Sequence, residues 1–195
     1  ALAQRQAKRE FATTPLSRQQ LSELLWSADG INRPELHERT GRLIDPHTAV
    51  AVTAAHRYGL FAQKADQEGL TQVAKLFRAA SSAEAIHRDT HKEAILELGG
   101  QVANFKLDEV TPGATAENLK AAIKGESYER DTMYPEFLAT AKADDARPAI
   151  RTLEFARTAE KEHAVLYQQA LDQLGKNPPA DYYVCQVCGY TVTEL

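Results

Sequence analysis

The sequence has no excess of basic charge, no long apolar run and almost no cysteine. With 23 Lys and Arg against 27 Asp and Glu, its formal net charge is −4, so no basic footprint recommends nucleic acid or an anionic membrane surface as a partner. No run of ~18 apolar residues is present to span a bilayer, and the N-terminus lacks the apolar core of a secretory signal. These absences point to a soluble cytoplasmic protein. Two cysteines in 195 residues cannot build a disulfide framework. Their three-residue spacing near the C-terminus suits metal binding or redox exchange in a reducing compartment. At 43% hydrophobic, the chain can bury the core of one ordinary domain with a small appendage. With Ala1 in first place, either a start methionine has been removed or the chain begins earlier.

What is present is a repeated pairing of carboxylate and imidazole. Glu160 and His163 lie three residues apart in a segment of helical apolar spacing, so one face carries both, and Glu84 and His87 repeat the pair. Between them, Glu126 and Glu129 add two carboxylates at the same step. A Glu-x-x-His on each of two helices, with single Glu residues from the other two, is the ligand set of carboxylate-bridged di-iron sites in four-helix bundles. Hard carboxylate oxygens tolerate ferrous and ferric iron while imidazole fixes geometry. One such pair alone is common on solvated helix faces; two in register are not.

The pattern predicts an N-terminal arm over 1–46, a helical bundle over 47–176 and a C-terminal segment over 177–195. In the arm, Ser17 to Trp26 reads as a short amphipathic helix capped by Ser17 and ended at Ala28 to Gly30. Helix 1 runs from about Asp45 to Gly69 with Tyr58 and Phe61 on one side. Helix 2 runs from Leu70 to Leu98, stopped by Gly99-Gly100. The stretch 101–114 is long enough to cross the bundle from end to end. Thr115 is the expected cap of helix 3, which reaches about Ala143 and should kink at Pro135, just after the paired carboxylates. Helix 4 spans about Arg147 to Leu174.

An offset of 76 carries Tyr58 to Tyr134, Phe61 to Phe137, Glu84 to Glu160, His87 to His163 and Leu98-Gly99 to Leu174-Gly175. The two helix pairs are therefore an internal repeat. The same offset takes Glu126 back to Val50, with Ala51 adjacent if one residue of slippage is allowed, and neither can bind a metal. His91, one turn after His87, has no partner in the repeat, and His56 lies two residues before Tyr58 on a different face; with His37 and His47 they read as surface or capping residues.

From Pro15 to about Arg42, Pro15-Leu-Ser, Leu21-Ser-Glu-Leu-Leu-Trp26 and Gly30-Ile-Asn-Arg-Pro34 resemble the opening of the flavin-dependent nitroreductases. The α/β domain that a flavin pocket needs does not follow, so the stretch reads as an added helical arm or a fusion remnant. Four further motifs occur in order over roughly residues 54–190: Phe77-Arg-Ala-Ala with Ala83-Glu84-Ala-Ile-His87; Glu117-Asn-Leu-Lys-Ala-Ala-Ile123 with Gly125-Glu126-Ser-Tyr-Glu129 and Met133-Tyr-Pro-Glu-Phe137; Ala159-Glu160-Lys-Glu-His163; and Tyr183-Val-Cys185-Gln-Val-Cys188-Gly-Tyr190. In these the chain resembles the rubrerythrins, non-haem di-iron peroxidases of anaerobes and microaerophiles.

The resemblance implies an all-α, ferritin-like four-helix bundle with a partial rubredoxin-like segment after it. It implies Glu84 and Glu160 as bridging carboxylates, Glu126 and His163 as ligands of one iron, and His87 and Glu129 as alternative ligands of the other, which moves between them with oxidation state. Tyr58 and Tyr134 match tyrosines that hydrogen-bond the cluster's carboxylates; core aromatic packing is their other reading. It also implies a terminal carboxylate seven residues before Tyr58, where this chain has Ala51. Cys185 and Cys188 match the first half of a rubredoxin-type iron site, which a second pair beyond Leu195 or a second chain would complete. A redox dithiol or half a zinc site is the alternative. The expected function is reduction of hydrogen peroxide to water in oxidative stress defence. Electrons would come from the cysteine-held iron or from an external rubredoxin or its reductase, and the chain would form a homodimer. The alternatives are a ferroxidase that handles iron, or a metal-poor structural descendant.

Overall fold

The computed structural model describes residues 34–102, 107 and 109–193, with side-chain detail from residue 48 onward. The expected helix at Ser17 to Trp26 and most of the nitroreductase-like stretch lie outside these residues. Helix α1 spans Pro34–Gln67, α2 Thr71–Glu97, α3 Thr115–Tyr128, α4 Tyr134–Ala143 and α5 Arg147–Asp172. A single π turn, Glu129–Met133, joins α3 to α4, so the described chain folds as a four-helix bundle whose third member is α3, the π turn and α4 together. A short antiparallel hairpin follows, β1 (Tyr183–Val184) paired with β2 (Thr191–Val192) in the register Tyr183 to Val192 and Val184 to Thr191. No described helix is long and apolar enough to cross a membrane.

Three local expectations need correction. Helix α1 starts at Pro34, not near Asp45; proline suits a first helical turn, where its missing N–H has no intrahelical partner anyway. Thr115 is the first residue of α3, not its cap. Ala114 holds the cap position, and the Glu117 carboxylate reaches back to accept its N–H at 3.2 Å. Pro135 sits in the first turn of α4, where it is tolerated, and the distortion lies upstream of it as the π turn. There the Tyr134 N–H donates to the Glu129 carbonyl, five residues back. A bond of that span holds one more residue than an α turn, so a one-residue insertion is absorbed without ending the helix.

The insertion accounts for the slippage in the internal repeat. Tyr58 and Tyr134 are related by 76 residues, but Glu126 lies on the other side of the added residue, so its counterpart is one place later than Val50. That counterpart is Ala51, which is buried, and Ala54, also buried, corresponds in the same way to Glu129.

The interior is layered along the bundle axis. Ala54, Tyr58, Phe61, Phe77, Leu119 and Tyr167 form part of one apolar cluster, and Ile95, Tyr134, Leu138 and Leu153 part of another. Along α2 the order is Phe77, then Glu84 and His87, then Ile95; α3 to α4 and α5 repeat it with their own acidic residues in the middle. A polar layer therefore lies between two oily ones. The connection after α2 passes from one end to the other, since Val102 packs on the second cluster and Val110 on the first. Truncating Leu119, which is completely buried, to Ala should cost about 2–5 kcal/mol. Leu96→Ala, at a site 61% exposed, should stay within about 0.5 kcal/mol of wild type in denaturant melts. Equal effects would contradict this layering.

Candidate metal centre

Helices α2, α3 and α5 and the π turn deliver their candidate ligands inward because these side chains occupy the apolar stripe itself. Glu84, His87, Glu126, Glu129, Glu160 and His163 are all buried, at 7% exposure or less. One ligand atom from each of Glu84, Glu126, Glu160 and His163 lies within 4.8 Å of the others. His163 Nδ1 is 2.9 Å from Glu160 Oε2 and 3.8 Å from Glu126 Oε2. His87 Nδ1 is 3.0 Å from Glu160 Oε1 and 3.5 Å from Glu84 Oε2, without the alignment of a hydrogen bond. His87 and Glu129 border the four-residue group but do not belong to it.

Several of these atoms have lone pairs and nothing to satisfy them. Glu84 Oε1 and Oε2, Glu126 Oε2, Glu129 Oε2 and Glu160 Oε1 are buried with no hydrogen-bond partner among the described residues. Ionised carboxylates left this way cost several kcal/mol each unless a cation or a proton neutralises them. Four carboxylates carry −4, which two divalent ions balance, and oxygen with imidazole nitrogen is a donor set suited to first-row transition metals. The residues fit a metal pair.

Without an ion, protons take that part. Burial, then the neighbouring Glu160, pushes Glu126 up to about 8. Burial with Glu84 beside it drives Glu129 well up, and burial with Glu160 raises Glu84. Burial also acts upward on Glu160, but His87 and His163 outweigh it and hold that carboxyl below its ordinary range. Burial pushes His163 down, yet Glu126 and Glu160 outweigh it and lift the imidazole to about 10. His87 rises likewise against its burial, through Glu160 and Glu84.

The far side of each imidazole is held by the C-terminal hairpin. His87 Nε2 lies 3.1 Å from the Cys188 carbonyl, which can only accept, so Nε2 carries the proton. Thr191 gives its own hydroxyl proton to the Gly189 carbonyl at 3.2 Å and therefore accepts from His163 Nε2 at 3.0 Å. Both rings are thus set to present Nδ1 to the carboxylates, as outer hydrogen bonds commonly orient metal-bound histidine. Gly189 has φ of 72°, and a Cβ there would stand 2.4 Å from His87 Nε2. Glycine is the residue that both the backbone and the imidazole allow.

Of the two tyrosines, Tyr58 donates to Glu126 Oε1 at 2.5 Å. Tyr134 is buried with its ring 6.3 Å from that of His91. His91 is no surface residue: it is fully buried, with Nδ1 2.8 Å from Thr152 Oγ1. Its position one turn after His87 on the same stripe was the available signal. His56 is exposed as expected, and the side chains of His37 and His47 lie outside the described residues. Thr191 and the Cys188 carbonyl carry no motif and were not foreseen. Cys185 is exposed and Cys188 half-buried; both are free, and no three-donor group among the described residues includes them. Hydrogen bonds from the Val187 and Cys188 N–H groups hold the Cys185 thiol below its ordinary value.

A helical bundle with a dry, carboxylate-rich layer at its middle defines a ferritin-like metalloprotein. Within that class, the rubrerythrin family model matches residues 52–171, and the chain belongs to the rubrerythrin family. It is 32% identical over 147 residues to rubrerythrin-2 of Clostridium acetobutylicum, covering 71% of this chain and 77% of the relative. To nigerythrin of Nitratidesulfovibrio vulgaris it is 31% identical over 141 residues, covering 71% and 69%. The solved structure of nigerythrin in a partially reduced state matches with a TM-score of 0.72 at 27% identity, over 78% of this chain and 76% of that one. A Mycobacterium tuberculosis bacterioferritin shares the fold, with a TM-score of 0.64 at 22% identity over 71% and 87% of the respective chains. The chain is thus a di-iron rubrerythrin-type protein by family.

Two measurements follow from this geometry. In protein stripped of metal, the folded state binds more protons than the unfolded one between 4.5 and about 8 at Glu126, and between 6.5 and about 10 at His163. Both contributions to stability fade as pH rises, while Glu160 acts only below its ordinary 4.5. The melting temperature of the chelated protein should fall steadily from pH 6.5 to 8, the window both groups share, and metal should flatten the slope. Gly189→Ala should loosen the hairpin and speed amide exchange at Cys185, whose N–H donates to the Tyr190 carbonyl, and at Val192, paired with Tyr183, with helix α2 staying protected.

Proposed function

We propose that the protein reduces hydrogen peroxide to water, H2O2 + 2 e⁻ + 2 H⁺ → 2 H2O, as a rubrerythrin-type peroxidase in oxidative stress defence. The observation that carries this reading is the set of unpartnered carboxylate oxygens and two oriented imidazoles sealed between apolar layers. Glu84, His87, Glu126, Glu129, Glu160 and His163 would hold two iron ions, which when bound supply the two electrons that cleave the oxygen–oxygen bond. The chain's own part is to position and to manage protons. Tyr58, whose hydroxyl burial holds well above its ordinary value, stays protonated and keeps a donor on Glu126. Tyr134 occupies the equivalent place in the other half of the repeat. The aromatic layer of Tyr58, Phe61, Phe77 and Tyr167 keeps bulk water away from one flank.

Electrons would arrive at the hairpin, where the Cys188 carbonyl touches His87. Iron held by Cys185 and Cys188 together with further cysteines would pass them on, or an external donor such as rubredoxin or its reductase would dock there. A cytoplasmic homodimer is the expected working form. Peroxide turnover with reduced rubredoxin as donor tests the reading: Glu160→Ala should lower it about 100-fold or more, since even outer-shell losses at metal sites cost 10–100-fold. Tyr58→Phe should lower it at least about tenfold, in keeping with the loss of a positioned proton donor. Full turnover by Glu160→Ala would sink the proposal, and ferrous oxidation by dioxygen outrunning peroxide reduction would put a ferroxidase in its place.

A further inference from the structure

The internal repeat makes a demand that the polar layer does not meet. Two halves related by the repeat should supply the layer equally, and α2 and α5 do: Glu84 and His87 face Glu160 and His163. The third helix adds Glu126 and Glu129. Once the residue inserted by the π turn is allowed for, their counterparts on α1 are Ala51 and Ala54, at 1% and 2% exposure. Both point inward, on the stripe that carries Tyr58 two turns after Ala51. Where one half brings two carboxylates, the other brings two methyl groups.

The side-chain geometry shows the same imbalance independently of the repeat. The four donors that converge within 4.8 Å are Glu84, Glu126, Glu160 and His163, all drawn to the His163 side. His87 touches the edge of that group, 3.0 Å from Glu160 Oε1 and 3.5 Å from Glu84 Oε2, but neither it nor Glu129 lies within reach of all four members. Glu129 keeps Oε2 unpartnered among the described residues, and so does His87 at Nδ1. These are donors in place on a side that has too few of them.

We propose that the metal centre is unequal: Glu84, Glu126, Glu160 and His163 hold one divalent transition-metal ion tightly, while the position flanked by His87 and Glu129 holds its ion weakly and exchangeably because Ala51 and Ala54 offer it no ligand. This rests on the reading that the polar layer binds metal. It departs from a matched pair of ions, and it makes the second ion the one that the surrounding metal supply sets. A mixed centre, with different metals in the two places, is open to this chain in a way that a symmetric ligand set would resist.

Titration of the metal-free protein with cobalt(II), followed by calorimetry and by equilibrium dialysis, tests it without reference to turnover. One ion should bind tightly and a second at least tenfold more weakly, because outer-shell losses alone cost 10–100-fold and a missing ligand costs no less. Ala51→Glu should tighten the second step at least tenfold and leave the first unchanged. Glu129→Gln, which leaves α1 untouched, should weaken the second step further and spare the first. Two indistinguishable steps in wild type, or loss of the first step in Glu129→Gln, would overturn the inequality and leave the metal-centre reading standing. No uptake of cobalt by wild type would overturn both.

Discussion

Four carboxylates shut inside one apolar bundle are the constraint on which the rest of this structure turns. Helices whose inward stripes were wholly apolar would pack with less demand on their partners. Here Glu84, Glu126, Glu129 and Glu160 must meet one another and two imidazoles, or remain uncompensated in a medium that punishes charge. That requirement fixes the registers of α2, α3 and α5 to within a turn, since sliding any one of them by a turn would put an acid against Phe77, Leu119 or Leu153. The apolar clusters on either side supply the burial that folds the chain; the layer between them supplies the register.

The π turn shows how small a change in the backbone separates the two halves of a duplicated bundle. It begins at Glu129 and ends before Tyr134, so the residue it adds lies between the acids of the third helix and its tyrosine. An α-helical path there would turn one of these sets away from the centre by about 100°, the rotation of a single residue. With the wide turn, Glu126, Glu129 and Tyr134 all face inward. The first helix has no such turn over its described length and needs none, because the residues it presents are alanines.

Much of this was legible beforehand, for reasons that differ by residue. Glu84, His87, Glu160 and His163 stood out because a three-residue step on a helix is geometrically unambiguous and because each pair vouched for the other. The bundle and the crossing connection were readable from glycine stops and stripe periodicity. His91 was misjudged because the repeat puts Tyr167 opposite it, and a histidine without a twin looked incidental. Pro135 announced a distortion but not its kind, since the added residue is a matter of hydrogen-bond pairing and leaves no signature in residue type. The hold of Thr191 and the Cys188 carbonyl on the two imidazoles was beyond reach, because a main-chain oxygen looks alike at every position and only docking decides what it meets.

That docking has a consequence for the order in which the molecule is made. The hairpin that covers both imidazoles comes after all four helices in the chain, with Val192 twenty residues beyond the end of α5. At translation rates of about 5–20 residues per second, the last of the four helices is synthesised roughly 1–4 seconds before the piece that closes over them. Until the hairpin docks, the outer nitrogens of His87 and His163 lack the Cys188 carbonyl and the Thr191 hydroxyl that meet them in the folded protein. The newborn protein passes through an uncapped stage that the finished one does not show.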